Sequence, residues 1–232
     1  IKECPICNSE STNLYMRSKD FSVTKEEFDI VKCVNCGFHY TNPRPDNNEL
    51  GKYYISDHYI SHNNANNTLF EKTYQLIRKV AIIGKYNLIA ETVKRGSILD
   101  VGCGTGDFLN KCKNKKWNTK GIEPSDLARK KAIEIHKLNV EKSTDLKQLS
   151  GEFDVITMWH VLEHVTELNA TVSEFKRLLS ESGKIIIAVP NLKSFDAVYY
   201  KKFWAGYDLP IHLYHFTKNS ITKLFKKHGF DL

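Results

Sequence analysis

The segment Ile98-Leu-Asp-Val-Gly-Cys-Gly-Thr-Gly-Asp107 combines residue types that suit ligand binding through the backbone. An apolar run leads into Gly102, Gly104 and Gly106, and a helical pattern starts directly afterwards. Glycines at such a junction allow a tight turn and let a ligand approach the free N–H groups of a helix N-terminus. Three details narrow the ligand. No Gly-Lys-Ser/Thr follows, which excludes a phosphate-cradling loop, and position 107 is Asp, so the third glycine comes one residue too early for G-x-G-x-x-G. Asp100 lies inside the strand just before the turn, where it would repel a pyrophosphate but suit a cationic amino group. Farther on, Gly121-Ile-Glu-Pro124 places Glu123 where α/β nucleotide sites hold an acid against both ribose hydroxyls.

Together these features describe an adenosine site with a positively charged, non-phosphorylated tail. S-adenosylmethionine has that chemistry. The bland alternative makes Asp100 and Glu123 ordinary strand-end charges and the glycines mere turn formers. The order in which the features occur argues against it.

A second set of residues suits a metal. Cys4-Pro-Ile-Cys7 and Cys33-Val-Asn-Cys36 are two C-x2-C pairs, and four such thiolates can surround a tetrahedral zinc ion. A closed four-sulfur shell leaves no open position, so this zinc is expected to be structural and to supply folding free energy to a small ribbon. Cys103, in the glycine turn, and Cys112, on a helix face, read as small packed residues.

The elements that must position these groups fall into three zones: residues 1–42, a zinc-ribbon module; residues 43–95, a helical connector or substrate cap; and residues 96–232, an S-adenosylmethionine-binding α/β domain. Asn42 to Pro45 is a natural break, and Asn63, Asn64, Asn66 and Asn67 mark a loop. Between Thr68 and Val93 the spacing of Ile77, Val80, Ala81, Ile89 and Val93 predicts helix, with Gly84 as a possible bend. Strands are expected at Ser97–Val101, Lys120–Ile122, near Leu138–Val140, at Phe153–Trp159 and at Lys184–Val189. Helices are expected at Asp107–Lys116, Ser125–Lys137 (capped by Ser125), about Glu167–Leu179 (capped by Thr166) and Thr217–His228. Such alternation predicts a doubly wound parallel sheet covered by helices on both faces. Phe230-Asp231-Leu232 reads as the start of another strand, so the α/β domain is expected to continue beyond this sequence.

Ile98–Leu109, Gly121–Pro124 and Phe153–Val165 resemble the successive motifs of class I S-adenosylmethionine-dependent methyltransferases, with a Rossmann-like sheet. The resemblance runs from Gly96 to the end of the chain. It implies Asp100, Gly102, Gly104 and Gly106 near the methionine moiety, Glu123 on the ribose, and Pro124 or Ser125 near the adenine. It also implies Ser143, Thr144 or Asp145 at the adenine edge, and Trp159 and His160 beside the methionine tail and the transferred methyl. The commoner Gly-Asp or Asp-Leu-Pro pattern after the third strand is absent. A cysteine ribbon followed by Asn-Pro-Arg-Pro is similar to the heads of sugar C-methyltransferases and relatives of quinone O-methyltransferases, in which tyrosines matching Tyr53, Tyr54 and Tyr59 can approach the cofactor or substrate.

Methyl transfer to an oxygen or carbon of high pKa needs a base, and histidine suits that role near neutral pH. Of nine histidines, His160 follows the fourth strand, at the edge where such sheets bind ligands. His212 lies in Asp208-Leu-Pro-Ile-His-Leu-Tyr-His-Phe-Thr217, within a connection too long to be a simple turn and therefore a candidate lid or substrate wall. The match of Pro210, His212, Phe216 and Thr217 to a recurrent pattern in the ribbon-bearing subgroup implies that His212 faces the reaction site; position and chemistry make it the first candidate base, with His160 second and Asp208 as a residue that could orient it. Bracing of the loop by His212 is the structural alternative. His164 reads as held at the start of its helix, and Trp204 as a pocket wall or core aromatic.

Composition bounds the rest. With 232 residues, 41% hydrophobic and 26% charged, the chain reads as an ordinary globular protein. The net charge of +7 could suit nucleic acid, but lysines such as Lys111, Lys113, Lys115, Lys116, Lys130 and Lys131 are spread as solvated helix faces. Trp159-His160-Val161-Leu162 also stands where a base-methylating enzyme would carry Asn/Asp-Pro-Pro-Tyr. A nucleic-acid methyltransferase and a non-catalytic binding module are therefore the rivals to a small-molecule methyltransferase. No apolar run approaches the roughly 18–20 residues that span a bilayer, and no signal peptide is visible, so a cytoplasmic protein without a membrane partner is expected.

Overall fold

The computed structural model describes residues 1–54, 69–143 and 146–231. In chain order the elements are β1 (Thr12–Lys19), β2 (Glu27–Cys33), β3 (His39–Thr41), α1 (Leu69–Thr92), β4 (Ser97–Val101), α2 (Asp107–Asn114), β5 (Asn118–Ile122) and α3 (Asp126–His136). They continue as β6 (Val140–Glu141), β7 (Phe153–Trp159), α4 (Leu168–Leu178), β8 (Leu179–Ala188), α5 (Phe195–Tyr200), β9 (Tyr214–His215) and α6 (Lys218–Lys227). These elements form two compact units: Ala65–Val161 with Ser173–Ala188, and Ile1–Asn64 with Leu162–Val172 and Val189–Leu232.

The first unit holds a five-stranded, all-parallel sheet in the order β6-β5-β4-β7-β8. It is the parallel sheet interleaved with helices that the alternation of elements implies. Strand β4 is central, and Ile98, Leu99, Asp100 and Val101 are all buried, as a strand covered on both faces requires. Helix α2 follows Gly106 immediately and buries Phe108, Leu109 and Cys112 along one stripe. These join Ile98, Trp117, Ala132, Leu138, Val140 and Val155 in one core. Ser125 caps α3, its hydroxyl accepting from the Ala128 N–H at 3.4 Å.

Three expected element details change. Helix α4 begins at Leu168, so Glu167 rather than Thr166 directly precedes it. Strand β8 starts at Leu179, well before Lys184: Leu179 pairs with Phe153 of β7, and the ladder resumes at Val155 and Lys184 after a register shift that leaves Ser180–Gly183 as the irregular stretch. Among the described residues of α1, Ile89 alone is fully buried, whereas Ile77 and Val80 are about 60% exposed, so their apolar spacing does not mark a single core-facing stripe.

The other unit is built on an antiparallel sheet in the order β1-β2-β3-β9. The last strand comes from the far end of the chain: His39 pairs with His215 and Tyr40 with Tyr214. Phe38, Tyr40, Tyr214 and Phe216 form a buried aromatic cluster, with ring centroids 5.5 to 6.2 Å apart where they meet. Arg44 of the Asn-Pro-Arg-Pro segment donates to the Tyr214 hydroxyl (3.1 Å) and the Thr166 carbonyl (3.2 Å). The long connection before Thr217 is an ordered stretch containing α5, two 3-10 turns and β9. Thr217 caps α6 in a reciprocal box with Ser220. After α6 no strand follows among the described residues. The Phe230 N–H bonds the Phe225 carbonyl at 3.1 Å, which folds this segment back onto the helix.

No helix among the described residues is long and apolar enough to cross a membrane.

Candidate functional site

The glycine turn joins β4 to α2. Gly102, Gly104 and Gly106 all have positive φ, at 73°, 57° and 81°. Their surroundings differ. A Cβ on Gly106 would meet Leu138 Cδ1 at 2.5 Å and Ala132 Cβ at 2.9 Å, and one on Gly102 would strike Val161. On Gly104 it would meet nothing within 4 Å. Two glycines thus pack the turn against its scaffold, while the third faces open space.

Glu123 braces that open face. Its Oε2 accepts the Gly104 N–H at 2.7 Å and its Oε1 the Ser125 N–H at 2.8 Å. The carboxylate is therefore fixed by the backbone at the ends of β4 and β5, and each oxygen retains a lone pair for a further donor. Pro124 follows, its carbonyl receiving Arg129 Nη1 at 3.3 Å. Asp100 is buried beneath the turn, where its Oδ1 accepts the Thr157 hydroxyl at 2.6 Å. Burial pushes its carboxyl up to about 7, opposed by the Thr157 hydroxyl and the Lys85 charge. A cation brought near would favour the charged form.

Trp159 ends β7. Its ring stands edge-on to Phe108 at 5.4 Å, with Lys85 Nζ over it at 4.7 Å. The buried Trp159 Nε1 has no hydrogen-bond partner among the described residues. His160, the next residue, is exposed and has a positive φ of 59°. A histidine in this sparsely populated conformation at the carboxyl end of a central strand is the kind of strained residue found at ligand sites.

The four ribbon cysteines converge. Cys4 Sγ lies 3.5 Å from Cys36 Sγ, and Cys7 Sγ lies 3.5 Å from Cys33 Sγ. The two C-x2-C turns repeat one pattern. Asn8 N–H bonds the Cys4 carbonyl and Gly37 N–H the Cys33 carbonyl, while the Cys4 and Cys33 N–H groups reach Ser9 and Phe38. Asn8 and Gly37 both have positive φ, which closes each turn. A tetrahedron with Zn–S bonds of roughly 2.3 Å has edges of roughly 3.8 Å, close to the sulfur spacing seen. Burial opposes ionisation of Cys33, but the Cys36 N–H and the Cys7 thiol outweigh it and bring Cys33 down to about 7.

His212 is buried. Its Nδ1 lies 2.9 Å from the Gly206 carbonyl, and its backbone N–H donates to the Asp208 carbonyl at 3.0 Å. The Gly206 carbonyl, rather than the Asp208 carboxylate, is thus the partner of the ring. Burial raises the Asp208 pKa, and the His212 charge opposes the shift. His164 lies in a 3-10 turn, Leu162–His164, ahead of α4, and its ring meets that of His212 edge-on at 4.6 Å. Tyr53 is packed against Phe28 and donates to Glu26 Oε2 at 2.6 Å, while the Tyr54 hydroxyl approaches His164 Nδ1 at 3.3 Å. Trp204 packs edge-on against Tyr207 beside the Ile30 core. Tyr59, Thr144 and Asp145 lie outside the described residues.

The family model described as a methyltransferase domain matches residues 73–232, more than half of the chain. The chain belongs to this methyltransferase family. A ubiquinone biosynthesis O-methyltransferase from Dechloromonas aromatica is 28% identical over 104 residues, 40% of this chain and 44% of that protein. The chain thus spans under half the length of that curated relative. Among solved structures, a methyltransferase from Archaeoglobus fulgidus described as dependent on S-adenosylmethionine is similar at TM-score 0.57 and 25% identity, covering 70% of this chain and 73% of that one. The magnesium protoporphyrin IX methyltransferase of Synechocystis PCC 6803, with bound S-adenosylhomocysteine, shares the fold at TM-score 0.59 and 20% identity, covering 80% and 90%.

Three groups in this methyltransferase domain escaped the sequence motifs. Arg78 of α1 donates to Thr105 Oγ1 (2.9 Å) and Asp107 Oδ2 (2.5 Å), which brings a cation to the glycine turn. Lys85, one helical stretch later, supports both Asp100 and Trp159. Thr157 holds the Asp100 carboxyl. For Thr157 a signal existed, since it pairs in register with Asp100 across β4 and β7.

Proposed function

We propose that this chain catalyses methyl transfer from S-adenosylmethionine to a small-molecule acceptor, at a hydroxyl oxygen or a carbon. The observation that carries this reading is the open face of Gly104 beside a Glu123 carboxylate fixed by two backbone N–H groups. The residues fit the cofactor. Glu123 receives the ribose hydroxyls, Pro124 and Ser125 border the adenine, and Gly102, Gly104 and Gly106 let the ligand reach the backbone. Asp100 faces the cationic tail, Arg78 suits its carboxylate, and Trp159 and His160 border the reacting end. When bound, the cofactor supplies the methyl group, its C–S bond breaking as the bond to the acceptor forms.

The acceptor's proton goes to a histidine. His212 is the first candidate because its Nδ1–H is committed to the Gly206 carbonyl, which leaves Nε2 with the lone pair. His160 is the second, and Asp208, whose backbone carbonyl accepts the His212 N–H at 3.0 Å, holds the segment that carries His212. Cys4, Cys7, Cys33 and Cys36 hold a structural zinc, supported by the paired 3.5 Å sulfur separations. A sugar nucleotide or a hydroxylated ring is the acceptor class, by analogy with the ribbon-bearing subgroup.

Calorimetric titration with S-adenosylmethionine and S-adenosylhomocysteine tests the reading. Wild-type protein should bind both, and Glu123→Ala should weaken binding at least tenfold, about 1.4 kcal/mol. A folded wild-type protein that binds neither ligand overturns it.

A further inference from the structure

We infer that Lys223 and Lys227 of α6 are the charge partners of the metal-loaded cysteine cluster and raise its affinity for the ion. The inference rests on the reading of Cys4, Cys7, Cys33 and Cys36 as a zinc site. Lys223 Nζ donates to the Cys36 carbonyl at 3.0 Å, and Lys227 Nζ donates to the Pro5 carbonyl at 3.0 Å. Cys36 closes the second C-x2-C turn and Pro5 lies inside the first, so each turn receives one ammonium group.

The helical period brings both cations to the cluster. Residues four apart share a helix face, which sets Lys223 and Lys227 one turn apart. Leu224 and Phe225, between them in the chain, are buried and anchor the helix. Asn169 adds to the same contact, its Nδ2 donating to the Pro5 carbonyl at 2.8 Å. The sequence of α6, Lys-Asn-Ser-Ile-Thr-Lys-Leu-Phe-Lys-Lys, has four lysines and no acid, and like charges at this spacing repel. Among the described residues, neither Lys223 nor Lys227 is ion-paired with a carboxylate. Their compensation has to come from the turns that they touch.

A loaded cysteine cluster supplies it. Four thiolates around one divalent ion leave a net double negative charge, which the two ammonium groups match. Groups outside the ligands tune metal affinity in this way. Both lysines are exposed, so the attraction is modest and salt screens it. That screening separates a charge role from a merely structural one. A lysine that only pinned its turn through a hydrogen bond would act equally at low and high ionic strength.

The full chain, loaded with zinc under reducing conditions, is titrated with a chromogenic chelator at low salt and again at about 1 M salt, where screening is nearly complete. The salt has an anion that does not bind zinc, and the chelator's own affinity is calibrated at each concentration. Wild type should hold one zinc on the cysteines and lose affinity as salt rises. The double variant Lys223→Gln with Lys227→Gln should bind zinc more than about threefold more weakly at low salt, and the gap should close at high salt. The double variant Lys223→Arg with Lys227→Arg keeps the charge and should restore the affinity. A smaller loss in the glutamine pair, an equal loss at both salt concentrations, or failure of the arginine pair to restore binding overturns the inference. Circular dichroism checks the fold of each variant. If the glutamine pair does not fold, the wild type decides, because a zinc affinity insensitive to salt also overturns the charge role. A folded wild type that binds no zinc overturns the zinc reading itself, an outcome distinct from the others. The titration needs neither cofactor nor acceptor.

Discussion

Gly104 and Gly106 are two residues apart, share a left-handed backbone and differ in what faces them, so alanine at each separates binding from folding. At φ of 57° and 81°, an added Cβ carries the left-handed penalty of about 1–2 kcal/mol at either position. Gly106→Ala adds a collision with Leu138 Cδ1 at 2.5 Å and Ala132 Cβ at 2.9 Å, and such overpacking costs about 1–3 kcal/mol more. Gly104→Ala adds none, because nothing lies within 4 Å. Urea unfolding should therefore shift the midpoint modestly for Gly104→Ala and substantially for Gly106→Ala, at an unchanged slope. Titration with S-adenosylhomocysteine should show the reverse bias. The Gly104→Ala methyl enters the space assigned to the ligand and should weaken binding by more than about tenfold in a protein that is still folded. Wild-type affinity in a folded Gly104→Ala variant would refute the assignment of that space.

Other perturbations follow from the same geometry. Asp100 is held up to about 7, against about 3.9 for an unfolded aspartate, so its contribution to stability is full below the lower value and lost as pH rises through the upper one. Unfolding free energy measured from about pH 4 to about pH 8 should fall less steeply for Asp100→Asn than for wild type. A cationic ligand should conversely bind wild type less tightly below about pH 7, and Asp100→Asn should flatten that dependence. Thr217→Ala removes the cap of α6 and should lower stability by about 1 kcal/mol, read from denaturant midpoints, with cofactor affinity unchanged. Zinc removal by a strong chelator, or Cys33→Ser, should melt the ribbon, seen as faster proteolysis within the first forty or so residues; resistance equal to the zinc-loaded wild type would argue against a structural metal.

The parallel sheet and the glycine turn were legible because their signals are local. Alternating apolar strands and helical periods lie within short windows, and Gly102, Gly104, Gly106 and Glu123 occur in the order that a strand-turn-helix-strand unit requires. The cysteine pairing was legible for the same reason. What the sequence hid depends on distant segments. Arg78 sits in a helix whose apolar spacing gave no sign of a polar contact, yet it reaches Thr105 and Asp107. The Glu163 and His164 pair meets His212 only through the packing of two stretches almost fifty residues apart, with His164 bonded to the Ile211 carbonyl. The early start of β8 was missed because Ser180 and Gly183 weaken its apolar pattern, although the ladder with β7 resumes beyond them.

The antiparallel sheet that carries the cysteines is finished by β9, and Thr41 meets His215 across 174 positions of chain. This connectivity imposes an order on synthesis. When the two cysteine turns leave the ribosome, the strand that will cover β3 has not been made, and the edge of β3 waits through the synthesis of the whole parallel sheet. Metal capture by the cysteines would hold the first three strands together during that interval, much as a clasp secures a seam before the last stitch. The nascent chain, rather than the finished protein, would then be the species most sensitive to zinc supply.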